Sequence, residues 1–113
     1  MVKKYIPKQG DIVTFDFNPT KWHERKGFRP AIVVSHDIFN THTKMAMVLP
    51  ITSNTKEYPT HYLLEDTKKV SGSVLCEHIR SVDFESRHVK YVEKASDNDL
   101  LSIMTLLNAC MEE

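Results

Sequence analysis

The sequence predicts an α+β fold, a small and mainly antiparallel β-barrel that carries one C-terminal α-helix. Three observations predict it. Short runs rich in β-branched and aromatic residues recur between turn signals from residue 11 to residue 92, as the strands of an antiparallel barrel do. No helical pattern separates them in the rhythm that a parallel sheet requires. One long helical pattern comes after them, behind Ser96. At 113 residues the chain is long enough to close a core of its own without disulfide or metal staples, so residues 1–113 read as one domain.

Gly10-Asp11 marks a turn, and residues 12–17 then alternate, with Val13, Phe15 and Phe17 on one side and Thr14 and Asp16 on the other. That is the pattern of a half-buried strand. Asn18-Pro19-Thr20 ends it, and residues 18–28 hold no period of either kind, which makes them a loop of the length that usually carries function. Residues 29–35 form the second strand; Ala31-Ile32-Val33-Val34 is too short for a helix and apolar enough for a central, buried place. Residues 36–44 are polar around Ile38 and Phe39 and read as one helical turn. Residues 45–51 are the third strand, and Thr52-Ser53-Asn54-Thr55 is a hydroxyl-rich turn. Tyr58-Pro59 introduces a fourth strand that runs to Leu64, and residues 65–69 are a charged turn. Residues 74–84 read as one longer strand, with Ile79 and Val82 on opposite sides of the two-residue period, which implies a bulge or burial on both faces. Residues 89–92 are a last edge strand. Ser96-Asp97-Asn98-Asp99 then starts a helix, because the Ser96 hydroxyl can take an orphan N–H and the acids suit the first turn. Leu100, Ile103, Met104, Leu107 and Met111 recur at helical spacing and form one apolar stripe for the core.

Composition excludes several classes. Hydrophobic residues are 41% and charged residues 27% of the chain, an ordinary globular balance. The longest apolar run, Met45 to Leu49, is far shorter than the ~18 residues of a transmembrane helix. The first residues are basic but have no apolar stretch behind them, so a cytoplasmic location is expected. Cys76 and Cys110 lack metal-type or redox-type spacing and read as reduced core thiols. Formal net charge is zero, yet residues 1–60 hold nine Lys/Arg against five Asp/Glu, and residues 61–113 six against ten. A local basic face is compatible with that asymmetry. His23, His36, His42, His61, His78 and His88 show no metal-ligand spacing, and the sequence carries no serine-hydrolase elbow, P-loop or zincin helix. No metal and no cofactor is expected.

The chemistry concentrates in His23-Glu24-Arg25-Lys26-Gly27-Phe28-Arg29-Pro30 and in Pro50-Ile51-Thr52-Ser53. Arg29 opens a buried strand beside Pro30, so its fork of donors would be presented rigidly to a phosphate. The alternative is an ordinary ion pair at a barrel rim.

Gly10-Asp11, Asp16-Phe17-Asn18-Pro19, Glu24, Gly27 and Arg29-Pro30, followed by Pro50-Ile51-Thr52-Ser53, Tyr58-Pro59-Thr60 and Glu77-His78-Ile79-Arg80-Ser81-Val82-Asp83, resemble the landmarks of the MazF/PemK toxins, ribonucleases of type II toxin–antitoxin pairs. The resemblance runs in order over nearly the whole chain. Two departures bear on specificity and loop geometry: Trp22-His23-Glu24-Arg25 replaces the family's usual Gly-Ser-Glu-Gln, and His78 stands where a Gln is common. The resemblance implies a small SH3-like barrel with a terminal helix, usually a homodimer, that cuts single-stranded RNA at a short motif without a metal. It implies attack by the neighbouring 2′-hydroxyl, with Arg29 and Thr52 as the key Arg and Thr. Donors aimed at the extra negative charge of the phosphorane are what such a site must supply.

Glu24 is the candidate to take the 2′-hydroxyl proton or to orient Arg29, with a plain ion pair as the other reading; His23 and His61 are alternative bases. Trp22 and Phe28 could stack splayed bases, and His23, Arg25, Lys26, Ser53, His61 and His78 complete the candidate RNA contacts. An antitoxin with a disordered acidic tail is the expected protein partner, laid over residues 18–28. Two rival readings remain at this stage. One is a CcdB-like toxin, which shares this kind of barrel and poisons a topoisomerase through its terminal helix. The other is a catalytically dead module that binds RNA or antitoxin.

Overall fold

Alternation in the first strand and the β-branched runs after it build a single hydrogen-bonded sheet. The computed structural model describes residues 4–16 and 28–112. Its elements are β1 (Asp11–Asp16), β2 (Phe28–Val33), α1 (Asp37–Thr43), β3 (Met45–Thr52), β4 (His61–Leu63), β5 (Ser73–Leu75), β6 (Arg80–Asp83), β7 (Lys90–Lys94) and α2 (Asp97–Met111). Every strand pairing is antiparallel. The hydrogen-bonded order is β4-β5-β3-β2-β1-β7, with β6 also paired to β3. The expected α+β class with a terminal helix stands. The word barrel fits only loosely, because the end strands β4 and β7 pair with β5 and β1 and not with each other.

β2 is the central strand foreseen from its apolar run, with Ala31, Ile32 and Val33 all fully buried. It feeds both sides of the sheet. Ile32 joins Ile12, Leu49, Ile51 and Val74 in the core that receives Ile103 and Leu107 of α2. Ala31 and Val33 join Val13, Phe15, Val48 and Val82 in a second core on the other face. Each large side chain so buried contributes about 1.5–3 kcal/mol.

α2 begins where Ser96 predicts, its hydroxyl accepting from Asp99 N at 3.0 Å. Asp99 does more than favour the first turn. Fully buried, it accepts from the Tyr62 hydroxyl at 2.6 Å and from Asp66 N at 3.0 Å, which pins the helix start to β4 and the loop behind it. Burial, and next the bond to Asp99, push the Tyr62 hydroxyl up to about 12.

Five expectations need correction. The run 74–84 is two strands, because Cys76 and Glu77 form a turn closed by His78 N donating to the Leu75 carbonyl at 3.1 Å. The fourth strand is only His61–Leu63, and residues 36–44 give a seven-residue helix, capped by His36 and ended by Lys44 at φ 61°. Met111 is 67% exposed and drops out of the apolar stripe, in which Leu100 and Met104 pack on the core beside the buried Ile103 and Leu107. Cys76 is a core thiol, pushed up to about 12 by burial, but Cys110 is exposed.

Candidate active site

Arg29 and Thr52 are brought together by strand register. β2 and β3 pair Val33 with Val48, Ile32 with Leu49 and Ala31 with Pro50. Continuing that register by two residues sets Arg29 opposite Thr52, and the two-residue period puts both on the face of Ala31 and Val48. The ladder stops short of them, since the end of β3 turns to pair Ile51 with Val74 and Thr52 with Ser73. Where the strands part, a cavity of about 190 Å³ opens, lined by Arg29, Pro50, Thr52, Leu75, His78 and the buried Phe15. Phe15 is the cross-strand neighbour of Arg29 in β1.

The Thr52 hydroxyl accepts from Asn54 N at 3.2 Å. One lone pair is thereby occupied and the O–H remains to donate. Gly72 sets the position of this residue from behind. Its φ is +135°, and a Cβ there would lie 2.1 Å from the Thr52 carbonyl oxygen. Only glycine fits both the conformation and the approach.

A second cavity of about 310 Å³ shares Thr52, Leu75 and His78 with the first and adds Tyr58, His61 and Glu77. Glu77 is its polar centre. Thr60 Oγ1 donates to one carboxylate oxygen at 2.8 Å, and His61 Nε2 lies 2.9 Å from the other. His78 Nε2 stands 3.5 Å from that same oxygen. Burial draws the Glu77 carboxyl upward, but the bonds from Thr60, its own backbone amide and His61 outweigh burial and hold it below the ordinary carboxylate range. The other ring nitrogen, His61 Nδ1, is buried without a hydrogen-bond partner among the described residues.

The structure thus joins Arg29, Thr52 and His78 in one cavity and His61 in its neighbour. Ser53 is exposed just past Thr52. The backbone of Phe28 opens β2 opposite Asp16, so the loop expected over 18–28 ends one residue early. The assignments made for Phe17, Trp22, His23, Glu24, Arg25 and Lys26 lie outside the described residues. Glu77 and Tyr58 escaped the list of site residues, although both sit inside quoted landmarks; neither spacing nor residue type signals a contact between Thr60-His61 and Glu77. Among the described residues no group of three His, Cys, Asp or Glu could hold a metal ion, and no helix is long and apolar enough to cross a membrane.

Residues 8–111 match the model of the PemK-like, MazF-like toxins of type II toxin–antitoxin systems. The chain belongs to this family. Among MazF/PemK relatives, it is 32% identical over 108 residues to the endoribonuclease toxin MazF of Escherichia coli K12, covering 96% of both chains. It is 36% identical over 120 residues to the endoribonuclease toxin ChpB of the same organism, covering 99% of this chain and 100% of that one. The crystal structure of MazF from Deinococcus radiodurans superposes with a TM-score of 0.83 at 34% identity, over 96% of this chain and 98% of that one. A MazE–MazF complex from that organism matches with the same TM-score at 31% identity, over 96% and 97% of the two chains. The α+β fold read from the sequence is therefore the MazF fold.

Proposed function

We propose that this chain is the toxin of a type II toxin–antitoxin system, an endoribonuclease that cuts single-stranded RNA at the cavity shared by Arg29 and Thr52. The observation that carries the reading is that pair, lining one cavity where β2 and β3 separate, in a chain whose relatives are named endoribonucleases. That likeness favours the ribonuclease over a topoisomerase poison.

In the proposed reaction the 2′-hydroxyl oxygen attacks the adjacent phosphorus, the P–O5′ bond breaks, and 2′,3′-cyclic phosphate and 5′-hydroxyl ends result. The nucleophile is already attached beside the phosphate, and such proximity replaces much of what an activated water would provide. Arg29 stabilises the charge that grows on the phosphorane, and the Thr52 O–H donates to a non-bridging oxygen. Glu24 is assigned to take the 2′-hydroxyl proton, and the departing 5′ oxygen takes its proton from Arg29 or from solvent. Trp22, His23, Arg25, Lys26, Phe28, Ser53, His61 and His78 are assigned to the RNA groove. No metal or cofactor enters these steps. We further read residues 1–113 as one toxin domain, working as a homodimer in the cytoplasm, where an antitoxin of the MazE type with a disordered acidic tail covers residues 18–28. The complex of the Deinococcus relative with MazE supports an antitoxin as the protein partner.

The test is substitution of the two donors. Arg29→Ala and Thr52→Ala should each lower single-turnover cleavage by about 100-fold or more with melting unchanged, since one preorganised donor to developing charge is worth on the order of 3 kcal/mol. Near-normal cleavage by folded Arg29→Ala would remove the assignment.

A further inference from the structure

We propose that Glu77 and Tyr58 form a nucleobase subsite beside the scissile phosphate, one that selects a base carrying an exocyclic amino group and rejects uracil. The inference rests on the ribonuclease reading and adds to it the chemistry of base selection.

The turn between β5 and β6 carries Glu77 back towards β4, where Thr60 Oγ1 and His61 Nε2 each occupy one carboxylate oxygen at 2.8 and 2.9 Å. An ionised carboxylate offers about four lone-pair sites and no donor. With its own backbone amide, three are engaged, and the side chain is still 32% exposed, in a cavity that it lines together with Thr52 and Tyr58. What it presents to a ligand is acceptor capacity, fixed in place. The Tyr58 ring provides the stacking face. It is 61% exposed, and its centroid lies 5.0 Å from that of His61 at an interplanar angle of 37°, so the imidazole that orients Glu77 also steadies the tyrosine. Exposed aromatic rings beside a phosphate-binding groove stack unpaired bases without regard to sequence. The edge that meets Glu77 supplies the discrimination.

Adenine, cytosine and guanine each present an amino group, and guanine adds the adjacent N1–H. Uracil presents N3–H between two carbonyl oxygens, which a fixed carboxylate repels. Because Thr52, Leu75 and His78 line both cavities, the selected base belongs to a nucleotide within one or two of the cut.

Binding separates this inference from the cleavage reading. A random-sequence pool of 2′-fluoro RNA keeps the base edges and lacks the nucleophile; sequences retained by the protein are read, and dissociation constants are then measured for one preferred oligonucleotide carrying each of the four bases at each position. At one position, amino-bearing bases should bind about tenfold or more tighter than uracil, the discrimination typical of a good base-edge contact. Glu77→Gln, whose amide adds a donor, should reduce that preference to about threefold or less. Tyr58→Ala should weaken all four bases at that position alike by about tenfold, and Tyr58→Phe should not, as loss of one stacking ring predicts. Equal or better binding of uracil at every position would overturn the subsite, as would a preference unchanged in folded Glu77→Gln. Cleavage of the all-ribose pool is scored separately. Base preference without cleavage would leave the subsite standing and remove the ribonuclease reading; cleavage without base preference would remove the subsite alone.

Discussion

Arg29, Thr52 and Gly72 show how a site of this kind is held at the scale of single residues. Arg29 stood out by its place before Pro30 and a buried run, which alone fits an ion pair as well as a phosphate, and it was the resemblance of the Arg29-Pro30 and Pro50-Ile51-Thr52-Ser53 landmarks that paired it with Thr52. Gly72 was not legible, since the reason for it lies across space in the Thr52 carbonyl, although Ser71-Gly72-Ser73 is a turn composition. It yields a direct prediction. Gly72→Ala must move either its own φ of +135° or the end of β3, because the contact is with backbone and not with a yielding side-chain tip. Strain of this type costs about 1–3 kcal/mol, so a denaturant melt should show that loss. Cleavage measured where the variant is still fully folded should fall by about tenfold or more, as a sub-ångström misplacement of a catalytic donor produces. Wild-type cleavage in a destabilised Gly72→Ala protein would mean that Gly72 serves stability alone.

At the scale of elements, carboxylates hold the segment between β4 and β5. Asp99 at the start of α2 accepts from the amides of Glu65 and Asp66, and Glu93 on β7 accepts from the amides of Lys68, Lys69 and Val70 at 2.8–3.0 Å. Sequence patterns found the charged turn and Asp99 but not the part played by Glu93, and could not join acid to turn, because the partners are backbone groups 23–34 residues away. Burial raises the Glu93 carboxyl, and the three amides with Lys69 outweigh it, so the group is held below its ordinary value of 4.5. A carboxyl lowered in the folded state stabilises it above that ordinary value and loses the contribution as pH falls through the lowered one. Stability should therefore drop below about pH 4.5. Glu93→Gln should be less stable at neutral pH and should show a shallower acid limb when melting temperature is followed against pH. An acid limb of unchanged slope would place the titration elsewhere. The split of residues 74–84 belongs to the same scale: its apolar residues recur as a strand's do, and the Cys76-Glu77 turn, which delivers Glu77 to Thr60 and His61, divides it.

For the whole molecule, the central place of β2, the terminal helix and the α+β class were readable from periodicity and turn signals, which report local structure well, whereas six strands were read where seven stand. Register and closure were not readable, since one-residue changes in pairing leave composition untouched while reversing every side chain. The register is what matters here, because it brings the end of β2 and the end of β3 to the one cavity that Arg29 and Thr52 line. The central claim is that this pair serves a reaction whose nucleophile belongs to the substrate. The measurement that tests it most directly is cleavage of one preferred single-stranded RNA in excess chelator, beside the same oligonucleotide with a single deoxyribose immediately 5′ of the cut. Cleavage should persist in chelator on the all-ribose strand, leave a 2′,3′-cyclic phosphate, and disappear with the single deoxyribose. Cleavage of the deoxy-substituted strand at the same bond, or activity lost in chelator and restored by Mg²⁺, would contradict it.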